Sequence, residues 1–377
     1  MTVTADVAVA GGGVIGTAIA WRAAAAGLDV TLVDPQHDDG ASLVAAGMLA
    51  PVSESIFGEE ALLRLNLLAV RRFPAFAAGL EERTGQHIGL RQEGTLAVAY
   101  DPGDHAALLR LTEFRRSVGL DAAELDSRAI RKLEPFLTPE VRGGALFAGD
   151  WSVDNRRYLA ALRQAAQAAG VRTVPGLVSR VSSAGVELAG GDAISCGTVV
   201  VAAGWGSAGI AGLPGGLADV VRPVKGQLLR LRLPAAMPPV LSHTVRAVVR
   251  GTDVYLVPRA DGELVVGATQ EERGPDRTVT AGAVHDLLRD ALSVLPVLSE
   301  LVLAETCAGL RPGTLDNGPV VGPAGAGLLL ATGHYRNGIL LSAVTADAAV
   351  AWLTGQAPAA EWAPFTPDRF AAPARSA

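Results

Sequence analysis

The sequence contains few of the residues on which disulfide-bonded and metal-binding proteins depend. Its 377 residues include only two cysteines, Cys196 and Cys307, and the six histidines show no H-x-x-x-H spacing. Two isolated cysteines provide neither a disulfide framework nor a metal site. We therefore expect no bound metal and a reducing, cytoplasmic compartment.

Targeting segments, membrane spans and basic patches are missing as well. The apolar N-terminal run is broken by glycines and lacks a basic leader, so we expect no signal peptide. No stretch offers about 20 uninterrupted apolar residues, so we expect no transmembrane helix. The formal net charge is −6 and the arginines are scattered, whereas nucleic-acid binding requires a basic stripe. The expected partners therefore include neither nucleic acid nor a membrane.

The start of the chain does contain a β-α-β pattern. A short strand, "DVAVA", precedes a helix rich in small residues and a second strand, "DVTLVD". Between the first strand and the helix, Gly11 allows a tight turn, Gly13 lets backbone N–H groups approach a pyrophosphate, and Gly16 lets the helix pack closely. Asp34 ends the second strand, where it can accept hydrogen bonds from ribose hydroxyls. Because these parts follow in register, we predict a dinucleotide site rather than a purely structural glycine turn.

The remaining elements suggest a discontinuous domain. A helix over about 62–82, interrupted at Pro74, precedes β-rich segments, and a strand, a turn at Gly333-His334 and a helix follow near the end. The tail after about Pro364 is rich in proline and alanine, so we expect it to be frayed. We predict an α/β fold, α+β overall, in which a mainly antiparallel β domain is inserted into a Rossmann-like domain. The predicted boundaries give residues 1–85, 143–215 and 312–377 to the nucleotide-binding domain and residues 86–142 and 216–311 to the substrate-binding domain.

Two stretches allow more than one interpretation. "CAGLRPGTLDNGPVVG" places Arg311 among small, bending and apolar residues. Arg311 is therefore either a surface arginine on a loop or a fixed cation held for an anionic ligand. "GASLVAAGMLAPVSE" is small and apolar, and it suits the close approach of a planar ligand as well as it suits a buried connector.

Several motifs together resemble a known family. These are the glycine fingerprint with Asp34, "RPVKGQ", "VYLVPR", "AGLRPGTLDNGPVVG" and "GHYRNGILLSAVTA". Over almost the whole chain they resemble the glycine-oxidase branch of the FAD-dependent D-amino-acid oxidase and sarcosine oxidase family. The resemblance implies a two-domain flavoprotein with non-covalent FAD at the domain interface. It also implies that Cys307 is an inert thiol rather than a covalent attachment point for the flavin.

The resemblance also implies roles for individual residues. Arg311 would pair with the substrate carboxylate, Tyr255 would reach the same carboxylate, and Arg336 would line the flavin pocket. From its strand pattern alone, Tyr255 is more often a core residue, and Arg336 could pair with a surface acid. Val178 would touch the adenine through its backbone. The expected cofactor contacts are Gly11, Gly13, Val14, Ile15, Gly16, Asp34, Ala41, Ser42, Ala46, Gly47, Met48, Val178, Gly204, His334, Tyr335, Arg336, Asn337, Gly338, Ile339 and Leu340.

The implied reaction is the oxidation of a small amino acid. Hydride transfer from Cα of glycine, sarcosine or a small D-amino acid to flavin N5, with molecular oxygen as acceptor, would give an imine or glyoxylate, ammonia and hydrogen peroxide. A role in thiamine thiazole synthesis and a homotetramer are implied too. The alternatives are a dehydrogenase that passes electrons to quinone and a flavin module that modifies tRNA. Leu43, Val44, Asp253 and Gln270 depart from the family pattern, and the last two point to a substrate other than bare glycine.

Overall fold

We describe the protein from a computed structural model that covers residues 3–35, 40–214, 216–217 and 219–370. Its helices are α1 (Val14–Ala25), α2 (Ala41–Val44), α3 (Glu60–Thr84), α4 (Pro102–Ser117), α5 (Ser127–Leu133), α6 (Asn155–Ala168), α7 (Ala281–Val294) and α8 (Gly338–Leu353). Its strands are β1 (Val3–Ala10), β2 (Val30–Asp34), β3 (Met48–Leu49), β4 (Thr95–Ala99), β5 (Ala123–Asp126), β6 (Gly143–Phe147), β7 (Trp151–Ser152), β8 (Arg172–Pro175), β9 (Val178–Ser182), β10 (Gly185–Leu188), β11 (Ala193–Val201), β12 (Arg222–Arg232), β13 (Thr244–Val249), β14 (Thr252–Pro258), β15 (Glu263–Gly267), β16 (Val302–Gly313), β17 (Val320–Gly325) and β18 (Leu328–Thr332).

The first sheet is mostly parallel and joins distant parts of the chain. Its strand order is β17-β18-β11-β1-β2-β8, and β9 and β10 form an antiparallel ribbon beside β11. The pairs β18–β11, β11–β1, β1–β2 and β2–β8 are parallel. The helices α1, α3, α6 and α8 pack together over this sheet and bury the largest apolar core. Because parallel strands need crossover connections, this sheet is the Rossmann-like layer that the sequence predicts.

The second sheet is almost entirely antiparallel. Its order is β16-β12-β15-β14-β13-β4-β6-β5, and only β13 and β4 pair in parallel. Helix α7 packs against β12, β13, β14 and β15 and buries a second apolar core on that face. Strand β6 pairs with β4 and β5, although the predicted boundary at residue 143 assigns it to the nucleotide-binding domain. We therefore propose that this boundary falls after Phe147.

Two local predictions are wrong. Helix α3 runs from Glu60 to Thr84 without interruption at Pro74. A proline removes one backbone hydrogen bond from a helix, but the neighbouring Phe73 and Phe76 are buried in the main core and stabilise the helix there. The tail is also ordered beyond Pro364, because 3₁₀ turns over Ala360–Phe365 and Pro367–Phe370 pack aromatic side chains inward. The rest of the predicted frayed tail, residues 371–377, lies outside the described residues.

Candidate active site

The glycine-rich turn between β1 and α1 adopts a conformation that side chains would prevent. Gly11 has a φ of 107°, and a Cβ atom on it would lie 2.5 Å from the carbonyl oxygen of Ala202. A Cβ atom on Gly16 would lie 1.9 Å from the carbonyl oxygen of Gly11, so the helix packs directly on the turn. The carboxylate of Asp34 lies beside Gly12, at the end of β2. These positions have the geometry that the fingerprint predicts for a turn that binds a pyrophosphate and a ribose.

The turn opens into a cavity of about 740 Å³ that extends from Asp34 to the inner face of the second sheet. Most of the residues predicted to bind cofactor or substrate line it. They are Gly11, Gly13, Val14, Ile15, Asp34, Ala41, Ser42, Ala46, Gly47, Met48, Val178, Gly204, Tyr255, Arg311, His334, Tyr335, Arg336, Asn337, Gly338 and Ile339. Gly16 and Leu340 do not line it: Gly16 lies in the helix behind the turn and Leu340 is buried in the main core.

Buried polar side chains fix the wall segment 42–48. Asn155 donates hydrogen bonds from Nδ2 to the carbonyl oxygens of Ser42 at 2.8 Å and Leu43 at 3.0 Å. Arg230 and Arg259 donate to the carbonyl oxygens of Leu43 and Ala46 at 3.3 and 2.5 Å. Burial lowers the pKa of Arg259 to about 10, which still leaves it cationic at neutral pH. The segment is therefore both a tied connector and a wall of the cavity.

The opposite wall is the junction between β18 and α8. His334 is buried, and its Nε2 lies 3.0 Å from Oγ1 of Thr345. Burial lowers the pKa of His334 to about 3, so its imidazole is neutral at working pH. Helix α8 begins at Gly338, which lines the cavity. Its N-terminal N–H groups therefore provide partial positive charge on this side.

Arg311 lies on a strand and not on a surface loop. It is in β16, half-buried, and its Nη1 donates to the carbonyl oxygens of Thr269 at 3.2 Å and Lys225 at 3.4 Å. Its guanidinium lies directly over Gly226 of β12, where a Cβ atom would come within 2.3 Å of Nη1. The side chain is therefore a fixed cation on the cavity wall.

Tyr255 stands next to this cation. Its ring lies over Gly267 of β15, where a Cβ atom would come within 2.5 Å of the hydroxyl oxygen. It also packs against the small apolar cluster that contains Val44 and Leu228. Burial raises the pKa of Tyr255 and outweighs the nearby Arg311, which lowers it. The hydroxyl therefore stays protonated and can donate a hydrogen bond. The core and cavity interpretations of Tyr255 therefore both hold.

Arg336 pairs with a half-buried acid, Glu54, that no sequence motif indicates. Its Nε lies 2.9 Å from Oε2 of Glu54, as an ion pair without hydrogen-bond geometry, and its Nη2 lies 3.7 Å from Glu59. Oε1 of Glu54 accepts a hydrogen bond from Nη1 of Arg246, a second missed residue. Arg246 pairs with Tyr255 across β13 and β14, so the two side chains share the cavity face of the sheet. The local sequence gives no signal for these contacts.

The departures from the family pattern also have clear positions. Leu43, Val44, Asp253 and Gln270 line the cavity, and the last two are exposed to solvent. Cys307 is half-buried and does not line the cavity, and burial raises the pKa of its thiol. Within the described part of the chain there is no group of three or more metal-ligating side chains. None of the described helices is long and apolar enough to cross a membrane.

These features fit a flavin dinucleotide. The glycine cradle and Asp34 suit the phosphates and ribose, and the cavity continues between the two walls toward Arg311. The family model for DAO, FAD dependent oxidoreductase, matches residues 6–352. The chain belongs to this family. The cavity is lined by residues of both sheets, by segment 42–48 and by the β18–α8 junction.

Individual relatives within the FAD-dependent oxidoreductases are similar over nearly the full chain. A glycine oxidase from Geobacillus kaustophilus is 34% identical over 98% of this chain and 98% of its own length. Its crystal structure has a TM-score of 0.88 and covers 97% of this chain and 98% of that one. The bifunctional protein ThiO/ThiG of Synechocystis sp. is 34% identical over 98% of this chain. The chain spans only about half of that relative, 55% of its length.

Proposed function

We propose that the protein is an FAD-dependent amino-acid oxidase of the glycine oxidase type. Glycine, water and oxygen would give glyoxylate, ammonia and hydrogen peroxide, and sarcosine and small D-amino acids would also be substrates. The observation that carries the proposal is a fixed guanidinium, Arg311, beside a protonated phenol, Tyr255, on the wall of a flavin-sized cavity. The similarity to a glycine oxidase along the whole chain supports the same activity.

Arg311 and Tyr255 would bind the substrate carboxylate. A guanidinium offers a planar pair of donors, so it fixes the direction of the Cα–H bond as well as binding the charge. The bonds from Nη1 of Arg311 to two carbonyl oxygens would hold the guanidinium in position for the ligand. Arg336, on the other wall, would add a second positive charge to the end of the pocket that binds the carboxylate. Bound FAD supplies the two-electron acceptor.

The substrate amine would react in its neutral form. His334 is neutral and lies within hydrogen-bond distance of Thr345, and Glu54 is paired with two guanidiniums. Burial alone would raise the pKa of Glu54, but Arg246 and Arg336 outweigh burial and hold it below the usual value. Neither group is therefore a good acceptor for the ammonium proton, which we expect to leave to solvent before the reaction.

A peroxide assay with purified, FAD-loaded protein tests the proposal. Glycine, sarcosine, N-ethylglycine and several D- and L-amino acids are offered, with Arg311→Ala as the control. Peroxide from glycine or sarcosine that is lost in the variant is the expected result. Flavin reduction without rapid reoxidation in air would instead identify a dehydrogenase, and no reduction by any of the amines would refute the proposal.

The proposal extends to the pathway, the compartment and the oligomeric state. A role in supplying the imine for thiamine thiazole synthesis is supported by the similarity to a ThiO/ThiG protein. We also propose a cytoplasmic enzyme that assembles as a homotetramer. Light scattering on the FAD-bound protein tests the assembly, and a monomer at micromolar concentration would contradict it.

A further inference from the structure

Glu54 lies in the part of the cavity that Arg246, Arg311 and Arg336 also line, which we call the substrate half. A second ligand carboxylate would otherwise fit there. Its side chain is only 10% exposed, and each of its oxygens faces a guanidinium. Nη1 of Arg246 donates to Oε1, and Nε of Arg336 lies 2.9 Å from Oε2. Two cations that bracket one carboxylate form an anion site. In this protein the anion in that site is a side chain of the protein itself.

The backbone around Glu54 is fixed by buried charged groups. Asp150 accepts hydrogen bonds from the N–H groups of Val52 and Ser53 at 2.8 and 3.0 Å. Nη2 of Arg115 donates to the carbonyl oxygens of Ser53 and Ser55 at 2.6 and 3.3 Å. Asp150 and Arg115 are 0% and 4% exposed. These bonds hold the backbone that carries Glu54, and the two guanidiniums hold its carboxylate.

Several charged side chains besides Glu54 line the substrate half of the cavity. Arg246, Arg311 and Arg336 line it together with Glu54 and Asp253, and Arg277 lines the cavity as well. Glu54 is the acid among them that contacts two of these guanidiniums. Without Glu54, Arg246 and Arg336 would form a second unneutralised site beside Arg311.

We propose that Glu54 is a specificity-determining residue, an internal anion that fills a second carboxylate site and so restricts the pocket to amino monocarboxylates. The excluded class is the amino dicarboxylates, such as D-aspartate and iminodiacetate. A second carboxylate would have to displace Glu54 from its two guanidiniums or lie beside it as a like charge. The inference rests on the proposed function, because it assumes that Arg311 holds the first carboxylate.

The isosteric variant Glu54→Gln tests this role. It keeps the shape of the side chain and removes one negative charge. We expect kcat/KM for iminodiacetate and D-aspartate, relative to glycine, to rise at least about tenfold, because the second carboxylate no longer meets a like charge and can pair with the two guanidiniums. A binding measurement without turnover accompanies this assay. The Kd for malonate, read from the flavin absorbance, is expected to fall at least about tenfold, while that for acetate changes by less than about threefold.

Matched variants separate this role from a general effect of charge. Glu59→Gln removes an acid that is 3.7 Å from Arg336 but does not line the cavity, and we expect it to leave the malonate-to-acetate ratio nearly unchanged. Glu54→Gln combined with Arg246→Met should lose the gain, because one half of the freed site is gone. Glu54→Asp keeps the charge and should keep the discrimination.

Two results would overturn the inference while leaving the proposed function intact. One is a wild-type enzyme that oxidises glycine and D-aspartate or iminodiacetate with equal kcat/KM. The other is a folded, FAD-bound Glu54→Gln protein whose malonate-to-acetate ratio equals that of the wild type. If Glu54→Gln does not retain FAD, the wild-type comparison alone decides. Failure of the proposed function is distinct, since no amino acid would then reduce the wild-type flavin.

Discussion

Replacing Gly226 with alanine should displace the substrate clamp without removing any charge. A Cβ atom at this position of β12 would lie 2.3, 2.4 and 2.5 Å from Nη1, Nη2 and Cζ of Arg311. Carbon atoms in ordinary contact are ~3.5–4.0 Å apart, so the guanidinium must move by roughly 1 Å or more. The moving group is the end of a flexible side chain that borders a cavity. The fold should therefore tolerate the change better than the site does.

The expected loss in catalysis follows from this displacement. A misplacement of about 1 Å in a positioning group typically costs on the order of a hundredfold in rate. We therefore expect kcat/KM for glycine to fall by about 10²-fold in Gly226→Ala, through both kcat and KM, because Arg311 orients the substrate as well as binding its charge. The free energy of unfolding should change by less than about 1 kcal/mol, because alanine is favoured over glycine in a strand. The variant would thus separate the site from the fold.

Steady-state peroxide kinetics and thermal unfolding measure both quantities. Gly282→Ala in α7 is the matched control, since nothing lies within 4 Å of a Cβ atom there, and it should behave like the wild type. In an Arg311→Ala background, Gly226→Ala should add less than about a twofold effect, because both changes act on one contact. A Gly226→Ala enzyme whose kcat and KM stay within about threefold of the wild type would refute the proposed role of Arg311.

Two further substitutions test neighbouring groups. Tyr255→Phe should raise KM for glycine by roughly tenfold and leave kcat less affected, because one hydrogen bond to the charged carboxylate is lost; an unchanged KM would exclude that bond. Asp150→Asn should destabilise the protein at pH 7 by about 1–3 kcal/mol, because Val52 or Ser53 loses its acceptor. Burial raises the pKa of Asp150 to about 6, so the folded protein binds this proton more tightly than the unfolded chain. As the pH rises from about 4 to 6, the wild type should therefore lose stability relative to Asp150→Asn. A difference in Tm between the two proteins that stays constant over this pH range would contradict this.

The parts of the site that the sequence predicts are those whose chemistry depends on adjacent residues. The turn from Gly11 to Gly16 is such a case, because the tight turn, the close approach and the helix contact all arise within six positions. The fingerprint therefore predicts both the cradle and the position of Asp34. The strand-to-helix junction at His334 is equally local, and the structure places it on the opposite wall of the same cavity.

Long-range contacts explain what the sequence could not predict. Glu54 and Arg246 are 192 positions apart, and their pairing depends on how β13 lies against the loop that follows β3. Arg230 and Arg259 are buried and donate hydrogen bonds to carbonyl groups in segment 42–48, whereas most arginines in proteins are exposed. Pro74 is a similar case, because the helix around it is stabilised by tertiary packing that propensity does not include.

Three glycines in the second sheet mark positions where side chains of the cavity wall lie close to a strand. A glycine inside a strand weakens it, so its presence often marks a close approach by another group. Gly226, Gly267 and Gly309 lie on the adjacent strands β12, β15 and β16, and Cβ atoms on them would come within 2.3, 2.5 and 2.9 Å of Arg311, Tyr255 and Val44. Each glycine thus makes room for a side chain on the cavity wall. Any larger residue at these three positions would therefore push Arg311, Tyr255 or Val44 away from its place on the wall.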